Sequence, residues 1–241
     1  AACEYGNDKG IFGFGTTGSN VGMTNLVSSS GVVATDTTAV GTARQYPAAC
    51  SYGYDKGIFG FGSTGSNTAV TNLVSNAGVV ATDVTGVGTA RHALSACEYG
   101  GDKGIFGFGS AGSETAVTNL VSNAGVVATD TSGVGTARST PGACGYGGDK
   151  GIFGYGYTGS RVSMTNLVSN TGVVATDTTG VGTARNALAA CEYGGDKGIF
   201  GFGATPSNVG MTNLVSNAGV VATDVTAVGT ARNSLEACSF N

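Results

Sequence analysis

The segment DKGIFGFG, at residues 8–15, decides the fold because it returns at a fixed interval along the chain. It occurs again at residues 55–62, 102–109 and 196–203, and as DKGIFGYG at residues 149–156. The interval is 47 residues each time, without insertion or deletion. A fixed period of this length is typical of repeat architectures, in which each copy is one supersecondary unit that packs on its neighbours.

The other motifs of the chain repeat with the same period. TNLVS, GVVATD and VGTAR each occur five times, whereas the cysteine motif occurs six times. The cysteines are Cys3, Cys50, Cys97, Cys144, Cys191 and Cys238. The 241 residues are therefore five repeats with a surplus copy of the Cys-containing strand at one terminus.

Each repeat has the pattern of four short β-strands. In the third copy we expect them at residues 93–99, 103–108, 117–121 and 125–131, with Gly, Asn, Ser and Asp in the turns between them. One such sheet cannot cover its own faces, whereas copies packed around an axis cover both faces and leave few free edges. We therefore predict one all-β domain over residues 1–241, a closed five-bladed β-propeller with four antiparallel strands per blade.

Two segments compete for one place in that ring, AACEYG at residues 1–6 and EACSFN at residues 236–241. The C-terminal copy continues directly from Arg232, so we expect it to close the ring. The N-terminal copy would then lie along an exposed edge or pair with a neighbouring molecule, which would make a homo-oligomer.

Several of these motifs resemble known families. The small-residue strand ALSAC (93–97), the segment KGIFGFG (103–109) and an arginine before the first strand resemble kelch-type propeller repeats, although the chain has no tryptophan. TNLVSN, GVVATDT, VGTAR and DKGIFGYG are similar to tandem repeats in structural and tail-fibre-like proteins of marine bacteriophages. The resemblance implies a propeller fold and a structural protein of a virion.

Composition excludes several classes of partner. The net charge is −4 and charged residues make up 11% of the chain, so there is no basic stripe for nucleic acid or an anionic membrane. No apolar run approaches the roughly 18 residues that a membrane span needs, and the N-terminus lacks the pattern of a signal peptide. We expect no nucleic-acid partner and no membrane insertion.

Catalytic and cofactor sites are also not expected. GFGTTG at residues 13–18 matches a dinucleotide fingerprint, but a helix should follow that fingerprint and here another strand is expected. The cysteines are too far apart in sequence for zinc, and equivalent positions of neighbouring blades are too distant for disulfides. His92 is the only histidine. We predict no enzyme, no cofactor and no metal, and buried, reduced thiols that suit assembly in a reducing cytoplasm.

The VGTAR arginines have two interpretations. Each follows the aspartate of an ATD motif by eight residues, close enough to pair across one connection. Alternatively, the five arginines form a ring at one mouth of the axial channel that holds an anion, at the cost of repulsion between like charges. The arginines are Arg44, Arg91, Arg138, Arg185 and Arg232.

Differences between the copies concentrate in the loop that follows DKGIFGFG, which changes charge and shape while its flanks stay constant. Binding specificity often lies in such loops, and neutral drift is the alternative. The candidate binding residues are Asn20, Asn67, Glu114, Arg161 and Asn208.

These observations favour a non-enzymatic structural and interaction protein, a virion or tail-fibre-like component that contacts other virion proteins. The alternative is a multivalent lectin for host-surface glycans with up to five equivalent sites, since repeated weak sites gain avidity. Either function would place the protein in a virion or outside the cell.

Overall fold

A computed structural model describes residues 1–38, 40–227 and 229–239, and in these residues the regular structure is all β. Each repeat forms one three-stranded antiparallel sheet, so the chain has five sheets with the strands in sequence order. The first sheet consists of β1 (Ala2–Tyr5), β2 (Lys9–Thr16) and β3 (Asn20–Val27). The other strands are β4 (Ala48–Tyr52), β5 (Lys56–Gly60), β6 (Thr71–Val74), β7 (Ser95–Tyr99), β8 (Lys103–Gly107), β9 (Thr118–Val121), β10 (Gly142–Tyr146), β11 (Lys150–Tyr157), β12 (Arg161–Val168), β13 (Ala189–Tyr193), β14 (Lys197–Gly201) and β15 (Thr212–Val215).

The prediction of four strands per repeat is wrong, because the GVVATD segment does not form a regular strand. In the third repeat it touches β9 through only two isolated bridges, Val121 with Val127 and Thr118 with Thr131. Between them the side chain of Asn119 donates to the main-chain oxygen of Ala128 at 3.1 Å. A side-chain amide thus replaces part of the main-chain ladder, which ends regular pairing at the outer edge of the sheet.

The glycines of the middle strand make room for the neighbouring sheets. A Cβ atom on Gly57 would lie 2.6 Å from the sulfur of Cys3 in the preceding repeat. A Cβ atom on Gly60 would lie 2.7 Å from the ring of Phe106 in the following repeat. Both distances are too short for a carbon side chain. The KGIFG motif therefore accepts a cysteine from one side and a phenylalanine from the other, and Gly107 receives Phe153 in the same way, as expected for close approach between sheets.

The core lies between consecutive sheets. Phe59 is fully buried, and its ring meets Phe14 of the preceding sheet edge to face, with centroids 5.2 Å apart. The same contact joins the next three pairs of sheets, through Phe61 and Phe106, Phe108 and Phe153, and Tyr155 and Phe200. Each sheet is therefore stabilised by burial against the next copy.

A line of main-chain hydrogen bonds also connects the repeats where each new repeat begins. Ala93 N–H donates to the oxygen of Tyr46 at 3.2 Å, and Thr140 N–H donates to the oxygen of Ala93 at 2.7 Å. Ala187 and Ser234 continue the line. All five residues have φ between 51° and 54°, a backbone conformation that residues other than glycine rarely adopt. This strain recurs at equivalent positions, so it belongs to the way the repeats join.

The closed five-bladed ring is not seen in the described residues. Four sheet-to-sheet interfaces are formed, but the fifth sheet does not pack on the first, and Phe12 remains 38% exposed where its four equivalents are fully buried. The expected roles of the termini are also reversed. Ala2–Tyr5 pairs with β2 as an ordinary first strand, whereas residues 233–239 form no strand.

Candidate functional site

The cysteine strands surround a narrow central cavity of about 90 Å³. All six copies of the cysteine motif line it, including Ala237, Cys238 and Ser239 of the C-terminal segment. One residue beyond each cysteine, glutamates alternate around the cavity with smaller residues. In chain order these positions are Glu4, Ser51, Glu98, Gly145, Glu192 and Ser239.

The three glutamates of this cavity have raised pKa values. Burial, followed by repulsion from Glu98 and Glu192, raises the pKa of Glu4 to about 7. Burial is also the main cause that raises the pKa of Glu98 to about 7, against a hydrogen bond from Ser51 that lowers it. The pKa of Glu192 is raised by burial and by Asp196. Burial at this cavity therefore favours the protonated form of all three side chains relative to an exposed glutamate.

All six cysteines are free, as predicted. Cys50, Cys97 and Cys144 are buried as expected, whereas Cys191 is only half-buried because no following middle strand covers it. Burial raises the pKa of the buried thiols well above the usual range and that of Cys238 to about 11. Inert thiols are expected from such surroundings.

Four of the five VGTAR arginines are completely buried between sheets, namely Arg44, Arg91, Arg138 and Arg185. The guanidinium carbon of Arg138 lies 3.9 Å from the ring centre of Phe108, and its Nη2 donates to Asn166 of the next repeat at 2.7 Å. The φ of 63° at Phe108 is unusual for an aromatic residue. Burial lowers the pKa of Arg138 to about 10. These side chains are already engaged with protein groups, so the geometry favours the structural interpretation over the anion ring.

The expected pairing between aspartate and arginine is present, but it joins different copies from those predicted. Arg138 approaches Asp177 of the following repeat at 3.9 Å, rather than Asp130 eight residues before it. Thr136 strengthens the contact, because its N–H and hydroxyl donate to the same carboxylate at 2.9 and 2.6 Å. We call this set of contacts the Thr–Asp clasp. Burial opposes ionisation of Asp177, but hydrogen bonds from Thr136 and Asn166 outweigh it and lower the pKa.

The hydrogen bonds of the Thr–Asp clasp occur at every interface between neighbouring sheets, whereas the arginine approaches the aspartate to 3.9 Å at two of them, through Arg138 and Arg185. The hydroxyl donors and carboxylate acceptors of the clasp are Thr42 with Asp83, Thr89 with Asp130, Thr136 with Asp177 and Thr183 with Asp224. Three donors reach the carboxylate at each clasp, namely the N–H and the hydroxyl of the threonine and the side-chain amide of an asparagine. The contact is therefore both directional and charge-assisted.

The candidate residues of the variable loops reach across to the next repeat. Asn20 donates to the oxygen of Ser63 at 3.1 Å, and Asn67 donates to that of Ser110 at 3.2 Å. Arg161 takes the same route, donating to Ala204 at 3.1 Å. These side chains therefore bridge repeats, while the loop tips beside them stay exposed.

The variable positions also have partners 25 residues later that sequence reasoning did not include. Asn67 and Arg161 contact His92 and Asn186 at 2.8 and 3.1 Å. The other pairs are Glu114 with Ser139 and Asn208 with Asn233. The signal was available, because these partner positions also differ from copy to copy. His92 is thus explained as one member of a variable pair.

The Asp-Lys turns are local ion pairs, as their position between strands suggested. The Lys9 ammonium lies 2.6 Å from Asp8, and the other four turns have the same pairing. The second oxygen of Asp55 accepts from Asn76 at 3.0 Å. In addition, the main-chain oxygen of Asp55 accepts from Gly6 N–H of the preceding repeat at 2.8 Å. These turns therefore contribute to sheet-to-sheet contact.

One exposed valine recurs on the outer edge of every repeat, as the first valine of the GVVATD segment. Its exposed fraction is 64–65% in all five copies. These residues are Val32, Val79, Val126, Val173 and Val220.

Comparison of the chain with protein-family models and with curated protein sequences gives no match. In the part of the chain that the structure describes, no three or more His, Cys, Asp or Glu side chains are grouped so that they could hold a metal ion. The same residues contain no helix with the length and apolar character of a membrane span.

Proposed function

We propose that the chain is a non-enzymatic structural and interaction protein built as a propeller-like array, which offers the same contact surface once per repeat. The observation that carries this proposal is the exposed valine found in all five outer turns. Isolated exposed apolar residues are common on protein surfaces, but regular repetition gives a partner with matching symmetry five equal contacts.

The repeated polar residues support a structural role. Threonine and aspartate of each internal interface are used in the Thr–Asp clasp, and the arginine of each interface is buried between the sheets, so these residues hold neighbouring sheets together. Catalysis needs a local set of unlike groups around a reacting atom. The repeated motifs are similar in sequence to those of phage structural proteins, so our specific proposal is a virion or tail-fibre-like component. We propose that it assembles in a reducing cytoplasm, where its free thiols persist.

A glycan-binding function is the second candidate, because the loop tips near Asn20 and its equivalents are exposed and differ between copies. The side chains with the largest differences, such as Glu114 and Arg161, are directed to protein partners instead. We therefore rank lectin activity below assembly.

The test changes all five exposed valines to threonine, a substitution of similar shape, and measures self-association by sedimentation velocity and native mass spectrometry. We expect the wild-type protein to associate with rising concentration and the variant to do so more weakly. A matched control carries Ala77→Ser, Ala124→Ser, Thr171→Ser and Ala218→Ser, which alter exposed positions in the same turns. Equal association in all three proteins would contradict the valine surface, and strong binding of wild-type protein on a glycan array would favour the lectin.

A further inference from the structure

The first sheet has an uncovered face. Phe12 is 38% exposed, whereas Phe59 and Phe106, which occupy the same position in later repeats, are completely buried by the sheet before them. Val33 follows the same rule, with 56% exposed against 9% for Val80. In the other four sheets the equivalent face is covered by the preceding copy of the repeat.

The fifth sheet has the complementary uncovered face. Tyr193 is 36% exposed, while Tyr146 in the repeat before it is 4% exposed. Leu214 is 40% exposed. Gly201 has space where Gly60 receives a phenylalanine, since a Cβ atom there would come no closer than 3.5 Å to another residue. In the internal interfaces the following copy of the repeat fills these places.

The polar groups of the two faces are also complementary. Thr230 and Arg232 are exposed at the end of the fifth repeat, and they are the donors of a Thr–Asp clasp without its acceptor. Asp36 is the matching acceptor in the first repeat, held by Asn25 at 2.8 Å. The described residues show no clasp between Thr230 and Asp36.

The innermost place between these two faces is already filled. Residues 237–239 line the central cavity together with the five cysteine strands. Glu236 lies 3.8 Å from the N-terminal ammonium of Ala1. Beside this segment a second cavity of about 580 Å³ is lined by Phe12, Phe14 and Leu235. Six equivalent strand positions therefore surround the axis, but only five carry a sheet.

We propose that the cleft between the fifth and first sheets is a docking site for the part of one further repeat that follows its cysteine strand, equivalent to residues 101–139, which joins the C-terminal segment and completes a sixth sheet. Such a unit presents a phenylalanine to Gly201 and an aspartate to Thr230 on one side. On the other side it presents a glycine to Phe12 and a threonine to Asp36. A repeat of a second whole chain does not fit this description. Its internal repeats have both faces covered, and each terminal repeat has only one uncovered face, so neither can fill both sides of the cleft. The proposal does not depend on the assembly role.

The experiment extends the chain after Asn241 with a copy of residues 101–139. The matched control carries the same 39 residues in scrambled order. Thermal unfolding and hydrogen exchange are measured for both, and for the chain without extension. We expect the melting temperature of the true extension to exceed that of the control, and the amides of residues 9–16 and 212–215 to become protected.

A second arm keeps the test decisive if the extended chain does not fold. Residues 101–139 are produced separately and mixed with the unextended protein, and protection of the same amides supports docking. Equal melting temperatures and unchanged exchange in both arms would overturn the proposal. So would native mass spectra in which the unextended chain forms dimers that Phe12→Ser abolishes, because a second chain would then cover the face.

Discussion

Replacement of a buried clasp arginine by methionine should destabilise the protein strongly, because it removes the charge and leaves its partners buried. Arg138→Met keeps most of the side-chain volume but loses the hydrogen bonds to Asn166 at 2.7 Å and Thr136 at 3.2 Å. The partner left buried is the neutral Asn166, and a buried polar group without its hydrogen bond costs roughly 1–3 kcal/mol. The cation–π contact with Phe108 adds up to about 2 kcal/mol. These contributions overlap, so we expect about 3 kcal/mol in total.

The assay is thermal and urea unfolding followed by circular dichroism. At roughly 2–4 °C per kcal/mol for a chain of this size, Arg138→Met should lower the melting temperature by about 10 °C. Arg232→Met is the internal control. Arg232 has the same position in its repeat and lies 4.0 Å from the ring centre of Phe202, but it is exposed and its side chain donates to Thr230 at 3.4 Å without a partner equivalent to Asn166 in the described residues. We expect it to cost less than about 1 kcal/mol. Equal losses in the two variants would refute the argument that burial between sheets makes the arginine important.

Three further outcomes follow from the same structure. Stability should fall as pH rises from below 4.5 through about 7, because folding raises the pKa of Glu98 from 4.5 to about 7 and so favours its protonated form. The full loss of stabilisation corresponds to roughly 3 kcal/mol, or about 1–2 kcal/mol after allowance for solvent screening. The urea midpoint of Glu98→Gln should therefore depend less on pH than that of the wild-type protein. The same pH dependence in both proteins would contradict this expectation. Ellman's reagent should label Cys191 and Cys238 before the four buried thiols, and rapid labelling of all six would contradict the burial. Gly60→Ala should lower the free energy of unfolding by about 1–3 kcal/mol, because the added methyl group crowds Phe106. Gly201→Ala, which has open space, should change it by less than about 1 kcal/mol in either direction. Equal effects of the two variants in urea titrations would contradict the packing argument.

Local structure was largely predictable from the sequence because each repeat carries its own strand and turn signals. The middle strand expected at residues 103–108 is observed at Lys103–Gly107, and the third strand expected at 117–121 is Thr118–Val121. The GVVATD segment has equally strong β propensity, yet it forms only isolated bridges. Strand propensity does not indicate that the side chain of Asn119 donates a hydrogen bond to the main-chain oxygen of Ala128.

Contacts between repeats were harder to predict because identical copies make the choice of partner ambiguous. An aspartate eight residues before Arg138 and another 39 residues after it belong to the same motif, so spacing alone does not decide between Asp130 and Asp177. The variable positions are less ambiguous. Glu114 and Arg161 replace the asparagine of the other three copies, and the partner positions 25 residues later also differ between copies, so these contacts can be assigned to particular repeats.

The number of interfaces between sheets explains why the two uncovered ends of the array have a large effect on its stability. Five sheets in an open arrangement share four interfaces, each with an aromatic pair and a Thr–Asp clasp. In repeat proteins, stability is approximately a sum of repeat and nearest-neighbour contributions. A sixth repeat placed between the fifth sheet and the first would add two interfaces at once, because it contacts both uncovered faces. It would also bury Phe12 and Tyr193, which are 38% and 36% exposed in the open array. The gain from such a repeat should therefore exceed that of any internal repeat added to the open array, which contributes only one interface.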